Sequence, residues 1–338
     1  MSAPASSPTD RSGEVPVTED GKPAVFSCIV LPDHVERAMR AAFRFTVAEK
    51  GDELAQLARL TRDGARFDAV VTGLGCDILD RAAIGALPDT IGMIASYSVG
   101  TDHIDLDAAR ERGLAVSNTP GTLVNAVADA AMLLILGAAR RATESIALIR
   151  SRGWPGWYPG QLLGYELAGR TLGIYGMGEI GAAVARRATA FGMTISYSNR
   201  RPAPGATARY IADPLDLVAA SDIVLIAAPS TPETRGFVNA QTLSRARESL
   251  ILVNIARGDL VVDDDLIAAL SERRIFGAAL DVFAGEPDID PRYFDLPNLF
   301  MTPHIGSSTI EARAAMGASV IASITAFLAG RPDPARLI

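Results

Sequence analysis

The feature that most restricts the fold is a junction near the middle of the chain. Thr171, Leu172, Gly173, Ile174 and Tyr175 form a short apolar run that reads as a buried strand. Gly176, Gly178 and Gly181 follow at once, and residues 182–191 continue as a helix. A G-x-G-x-x-G string carries meaning only between a strand and a helix, and here it has that setting. Gly176 permits a tight turn, Gly178 lets a pyrophosphate approach the backbone, and Gly181 allows close packing of helix on strand. The start of the helix adds N–H donors and a partial positive charge. The junction therefore predicts a parallel α/β sheet with a dinucleotide site at these glycines.

Most of the chain repeats the same alternation. Residues 24–31, 67–72, 91–96 and 114–117 read as strands, with helices at 52–60 and 105–112 between them. After the break at Thr119, Pro120 and Gly121, residues 122–150 read as one long helix that is apolar on several faces. Alternation resumes at Thr171 and lasts to about Pro303, and a final helix covers 308–328. A chain of 338 residues exceeds one ordinary core, so two domains are expected. Residues 1–22 have no apolar stretch and read as a disordered extension. The loop 151–163 carries Trp154, Trp157 and Tyr158, whose use as interface anchor, pocket lid or core filler stays open.

Composition closes off several function classes. A net charge of −7 argues against a nucleic-acid surface, which needs clustered Lys and Arg. The longest apolar run, 130–139, is half of what a membrane span requires. Cys28 and Cys76 read as reduced thiols of a cytoplasmic chain, and no metal site is expected.

Open α/β sheets bind ligands at the carboxyl ends of their strands. The strand at 193–198 ends in Asn199, Arg200 and Arg201 rather than in the carboxylate that would bind an NAD ribose. Two guanidiniums there suit a 2′-phosphate, so NADPH is the expected cofactor, with NADH as the alternative. Pro229, Arg257, Asp281 and His304 each follow a predicted strand, which puts them on the rim that holds Gly176. Reduction of a keto acid needs a guanidinium for the carboxylate, an imidazole acid for the carbonyl oxygen, and a carboxylate to orient that imidazole. Arg257, His304 and Glu286 fit those roles. His34 reads as a surface residue of an early helix, and His103 as a satisfied loop histidine.

Seven stretches resemble the D-isomer-specific 2-hydroxyacid dehydrogenases, in family order. They begin at Ser98, Asn118, Gly176, Asn254, Ala279, Gly285 and Pro303. The resemblance implies two Rossmann-like domains, with a dinucleotide-binding domain at 119–305 inserted into a substrate-binding domain at 23–118 plus 306–338. It assigns Arg257 to the substrate, His304 to acid/base work and Glu286 to the histidine. The N–H groups of Val99 and Gly100 would hold the substrate carboxylate, and Asp281 would bond the nicotinamide carboxamide. Further cofactor contacts fall on Glu179, Ile180, Ala228, Pro229, Ile255 and Ala256. Family members are usually homodimers. The Asn199–Arg201 turn is similar to that of NADPH-preferring glyoxylate and hydroxypyruvate reductases. The expectation is therefore an NADPH-dependent reductase of small 2-keto acids giving D-2-hydroxy acids. The rivals are an NADH-dependent relative acting on a bulkier keto acid and a dinucleotide-sensing regulator.

Overall fold

The computed structural model describes residues 21–76 and 78–338, so the extension expected at 1–22 lies almost wholly outside the described residues. The chain divides into two units, one of Met1–Thr122 with Arg313–Ile338 and one of Leu123–Ala312. Both boundaries fall a few residues beyond 118/119 and 305/306. The Thr119 N–H donates to the Ser98 carbonyl at 3.0 Å, which keeps the segment after the last strand with the first unit. The Gly306 N–H donates to the Asp281 carboxylate at 2.8 Å, which keeps the segment after Ile305 with the second.

The first unit alternates β1 (Ala24–Ser27), α1 (Asp33–Ala42), β2 (Arg44–Val47), α2 (Glu53–Arg62), β3 (Ala69–Thr72), α3 (Arg81–Ala86), β4 (Met93–Ser96), α4 (Leu106–Glu111) and β5 (Ala115–Ser117). Its five-stranded sheet has the order β2-β1-β3-β4-β5, and every pairing is parallel. Val25, Phe26, Val70, Ile94 and Val116 are fully buried, as both faces of a parallel sheet require. Strand β2 is a finding beyond the sequence reading. Only Phe45 of its four residues is buried, so this edge strand lacks the apolar block that marks the others.

The second unit opens with α5 (Val124–Ala139) and α6 (Ala142–Arg150), then runs through β6 (Thr171–Tyr175), α7 (Glu179–Ala190), β7 (Thr194–Ser198), β8 (Arg209–Tyr210), α8 (Pro214–Ala220), β9 (Ile223–Ile226), α9 (Ala240–Ser244), β10 (Ile251–Asn254), α10 (Asp263–Ser271), β11 (Gly277–Leu280) and β12 (Leu299–Met301). The single helix expected over 122–150 is two helices. Arg141 adopts φ 54°, a left-handed conformation that ends α5, and its guanidinium forks onto Glu144 in the first turn of α6. The burial expected of this region holds for α5, where Leu134, Ile135 and Ala139 are fully buried.

The second sheet has the order β12-β11-β10-β9-β6-β7-β8, with all strands parallel. Strand order reverses between β6 and β9, and such a switch point opens a crevice at the carboxyl ends of the strands. A last helix, α11 (Ile310–Leu328), begins in the second unit and continues in the first. It is the one described helix with the length and mean hydropathy of a membrane span. Met316, Val320, Ser323 and Ile324 form a buried stripe along it, and 33% of its apolar window is buried. Gly317 lies so close to Val35 that a Cβ would overlap that side chain.

Candidate active site

The turn after β6 is shaped by its three glycines in three different ways. Gly176 has φ 107°, and a Cβ there would overlap the backbone of Ala227 and Ala228 at the end of β9. A Cβ at Gly181 would overlap the Gly176 carbonyl, so α7 can sit this close only without a side chain. Gly178 is different, with open space around its missing Cβ. The tight positions are filled by protein and the open one faces outward at the start of α7, where helix N–H groups lack partners of their own. That fits a dinucleotide pyrophosphate, held by the backbone of Gly178, Glu179 and Ile180.

The next strand end braces this turn. Asn199 Oδ1 accepts the Met177 N–H at 2.7 Å, and its Nδ2 donates back to the Met177 carbonyl at 3.4 Å. The Asn199 side chain is thus spent on the glycine turn. Arg200 and Arg201 are exposed, and among the described residues neither guanidinium makes a hydrogen bond or ion pair. Glu233 lies near enough for the charge of Arg200 to help lower its pKa, behind the larger effect of its hydrogen bond with Thr231.

The remaining strand ends bring three side chains of interest to the same rim. After β10, the fully buried Asn254 donates from Nδ2 to the Arg257 carbonyl at 2.8 Å and accepts the Ala256 N–H at 3.0 Å. This fixes the backbone of the Ile255–Arg257 turn. A Cβ on Gly258 would overlap the backbone at Phe283 and Ala284, so the two turns touch main chain to main chain. The second of them carries Glu286, whose Oε1 accepts the Phe283 N–H at 2.7 Å. Its Oε2 lies 2.7 Å from His304 Nδ1, with the two side chains 33% and 30% exposed. Burial alone would raise the Glu286 pKa. Its bonds with His304 and Phe283, and the charges of His304 and Arg257, outweigh this and hold it below the ordinary carboxylate range. An ionised carboxylate only accepts, so Nδ1 carries the proton of that bond and Nε2 is the ring nitrogen that Glu286 leaves unengaged.

His304 itself adopts φ 51°. A non-glycine residue in this region costs about 1–3 kcal/mol and persists only where its surroundings over-determine it. Here the surroundings are Asp281, 2% exposed at the end of β11. Its Oδ1 accepts the Thr302 hydroxyl at 2.6 Å and the Ile305 N–H at 2.8 Å, and its Oδ2 accepts the Gly306 N–H at 2.8 Å.

Val99 and Gly100 belong to the first unit, in the loop after β4. Asn118 Nδ2 donates to the Val99 carbonyl at 2.8 Å and the Ser98 hydroxyl to the Gly100 carbonyl at 2.6 Å. Both carbonyls are tied down, and among the described residues the two N–H groups have no acceptor. His103 is buried beneath this loop, with Nε2 at 3.4 Å from the Ser96 hydroxyl. Tyr97 is buried too, its hydroxyl donating to the Arg313 carbonyl at 2.8 Å. The bracing residues Asn254, Ser98 and Asn118 were not singled out by role from the sequence. A polar side chain placed just after, or at the end of, a buried strand was the available signal.

A doubly wound parallel sheet with this glycine turn at its switch point, and a Glu–His pair on the same rim, defines a nicotinamide-dinucleotide-dependent oxidoreductase. Comparison with known proteins narrows the class. Residues 132–306 match the model of the D-isomer specific 2-hydroxyacid dehydrogenase NAD binding domain. The chain is 48% identical over 241 residues to a glycerate dehydrogenase of Hyphomicrobium methylovorum, covering 70% of this chain and 75% of that one. It is 39% identical over 322 residues to a glyoxylate reductase of Thermococcus onnurineus, covering 93% and 95%. Among solved structures it resembles an NADPH-dependent glyoxylate/hydroxypyruvate reductase of Sinorhizobium meliloti in complex with NADP and malonate. That likeness has a TM-score of 0.84 and 29% identity, over 94% of this chain and 97% of the other. The chain belongs to the D-isomer specific 2-hydroxyacid dehydrogenase family.

Proposed function

We propose that this protein reduces a small 2-keto acid of the size of glyoxylate or hydroxypyruvate to the D-2-hydroxy acid, with NADPH as cofactor. The observation that carries the reading is the 2.7 Å pairing of His304 Nδ1 with an ionised Glu286, on the rim that also bears the glycine turn and Arg257. When bound, the dinucleotide supplies a hydride to C2 of the substrate. The carbonyl oxygen then gains negative charge and takes the proton of His304 Nε2, while Glu286 stabilises the imidazolium before the transfer and fixes the ring orientation. Arg257 offers a planar fork to the substrate carboxylate. Val99 and Gly100 present their amides to an anionic oxygen.

The preference for NADPH rests on Arg200 and Arg201, which are exposed and make no hydrogen bond or ion pair among the described residues, Arg200 feeling only the nearby charge of Glu233. It is further supported by the NADPH dependence of the Sinorhizobium relative. Asp281, assigned by resemblance to the carboxamide, has three of its acceptor positions taken by the His304 turn. A homodimer is part of the same proposal, supported by an exposed apolar belt on the second unit: Leu133, Ile146, Ile149, Trp154, Trp157 and Tyr158.

Steady-state rates with glyoxylate, hydroxypyruvate and phenylpyruvate, each with NADPH and NADH, test the reading. The two small acids with NADPH are expected to give the highest kcat/KM. Absence of turnover with every 2-keto acid would remove the assignment, and equal rates with both dinucleotides would remove the cofactor preference.

A further inference from the structure

We propose that Asp281 is the positioning residue of the proton donor: its carboxylate is the hub that holds the Thr302–Gly306 turn and so keeps His304 in place. The proposal rests on the reading of His304 as the acid and gives Asp281 a task in addition to the carboxamide contact that the resemblance implies, for which one acceptor position is left. Three observations converge on it. The carboxylate is almost fully buried, so little of it is open to a ligand. It receives a hydroxyl and two backbone N–H groups, from Thr302, Ile305 and Gly306, which bracket His304 on both sides. The backbone of the same residue takes part as well, because the Asp281 carbonyl accepts the His304 N–H at 2.8 Å.

The physical logic is that of an anion inside a ring of donors. A carboxylate has about four acceptor positions, and three are filled by one short turn. Such bonds are stronger than neutral ones, because the acceptor is charged. They compensate for the left-handed backbone of His304, φ 51°, which an isolated turn would relax. Relaxation would swing the imidazole away from Glu286 Oε2, now 2.7 Å away. The gap at Gly306 points the same way. A Cβ there would stand 3.0 Å from Asp281 Oδ2, so even one methyl would press on the hub.

The test is Asp281→Asn, which keeps the shape but replaces one acceptor oxygen with a donor facing N–H groups. The expected result is a kcat lowered about a hundredfold, the cost of a misplaced catalytic group, with a much smaller change in dinucleotide Kd. Combined with His304→Ala, the loss is expected to be non-additive, the double variant matching His304→Ala within about threefold. A readout independent of turnover comes from NMR: His34, His103 and His304 are the three histidines of the chain, and the His304 ring signals should shift in Asp281→Asn. If Asp281→Asn fails to fold, Thr302→Val removes one donor from the same hub and is put through the same cycle.

A weakened dinucleotide Kd with kcat preserved would overturn the proposal and return Asp281 to the carboxamide. Additive losses, or an unmoved His304 signal, would overturn it too. Wild-type turnover in His304→Ala is a separate failure. It would end the reading of His304 as the acid, while the NMR shift would still decide whether Asp281 holds the turn.

Discussion

Two opposed influences meet on the Glu286 carboxyl. Burial favours its neutral form, while His304, the Phe283 N–H and the charge of Arg257 favour the ionised one, and the net result is a lowered pKa. A carboxyl whose folded pKa lies below its unfolded value, about 4.3 for glutamate, stabilises the fold fully above that value. The contribution is lost as the pH falls through the lower folded value. The melting temperatures of the wild type and Glu286→Gln are therefore expected to differ most near neutrality and to converge in acid. A gap that stays constant from neutral to strongly acid pH would show that Glu286 is not held below its ordinary value. The pairing partners were legible because each lies just beyond a strand or in a turn beside one. The braces were not, because a side chain bonded to the next turn leaves no periodic mark. His34, read as a surface residue, is half-buried, and its Nε2 is covered without a hydrogen-bond partner among the described residues.

At the level of elements, the β6–α7 turn makes opposite demands at two glycines of one motif. Gly181→Ala would press a methyl on the Gly176 carbonyl and is expected to cost about 1–3 kcal/mol of stability. Gly178→Ala meets nothing within 4 Å. It should melt like the wild type but bind the dinucleotide roughly tenfold to a hundredfold more weakly, because the methyl would hold a pyrophosphate off the N–H groups of the turn, at the cost of about one bond to a charged group. Calorimetry for the first and a fluorescence titration for both separate the two effects; equal melting temperatures would refute the packing argument. After β7, replacing Arg200 and Arg201 together by Ala is expected to weaken NADPH by about tenfold or more and leave NADH nearly unchanged. Equal losses would show that these guanidiniums do not read a 2′-phosphate. Buried parallel strands were the most legible elements, β6 and β11 above all, since each is an apolar run ended by Gly or Asp. Two events escaped. Strand β2 buries one residue of four, and the break at Arg141 uses a residue type that ordinarily continues a helix.

For the whole molecule, the second unit keeps several large apolar side chains exposed. Trp157 is 80% exposed, Leu163 65% and Ile149 60%, far from the core positions that such side chains usually occupy. If a second copy covers them, Trp157→Glu with Ile149→Glu should halve the mass in solution without altering the far-ultraviolet circular dichroism. Sedimentation that shows a monomer for the unaltered protein would refute the homodimer. The order of segments along the chain has another outcome, for biogenesis. The second unit is one continuous stretch, whereas the first is completed only by Arg313–Ile338, made after it. Domains fold as units while synthesis runs at about 5–20 residues per second. On the ribosome, the Leu123–Ala312 segment can thus collapse on its own sheet while β1–β5 still wait for the helix that covers Val35. Of the two units, the one whose strands are made earlier is the one completed later.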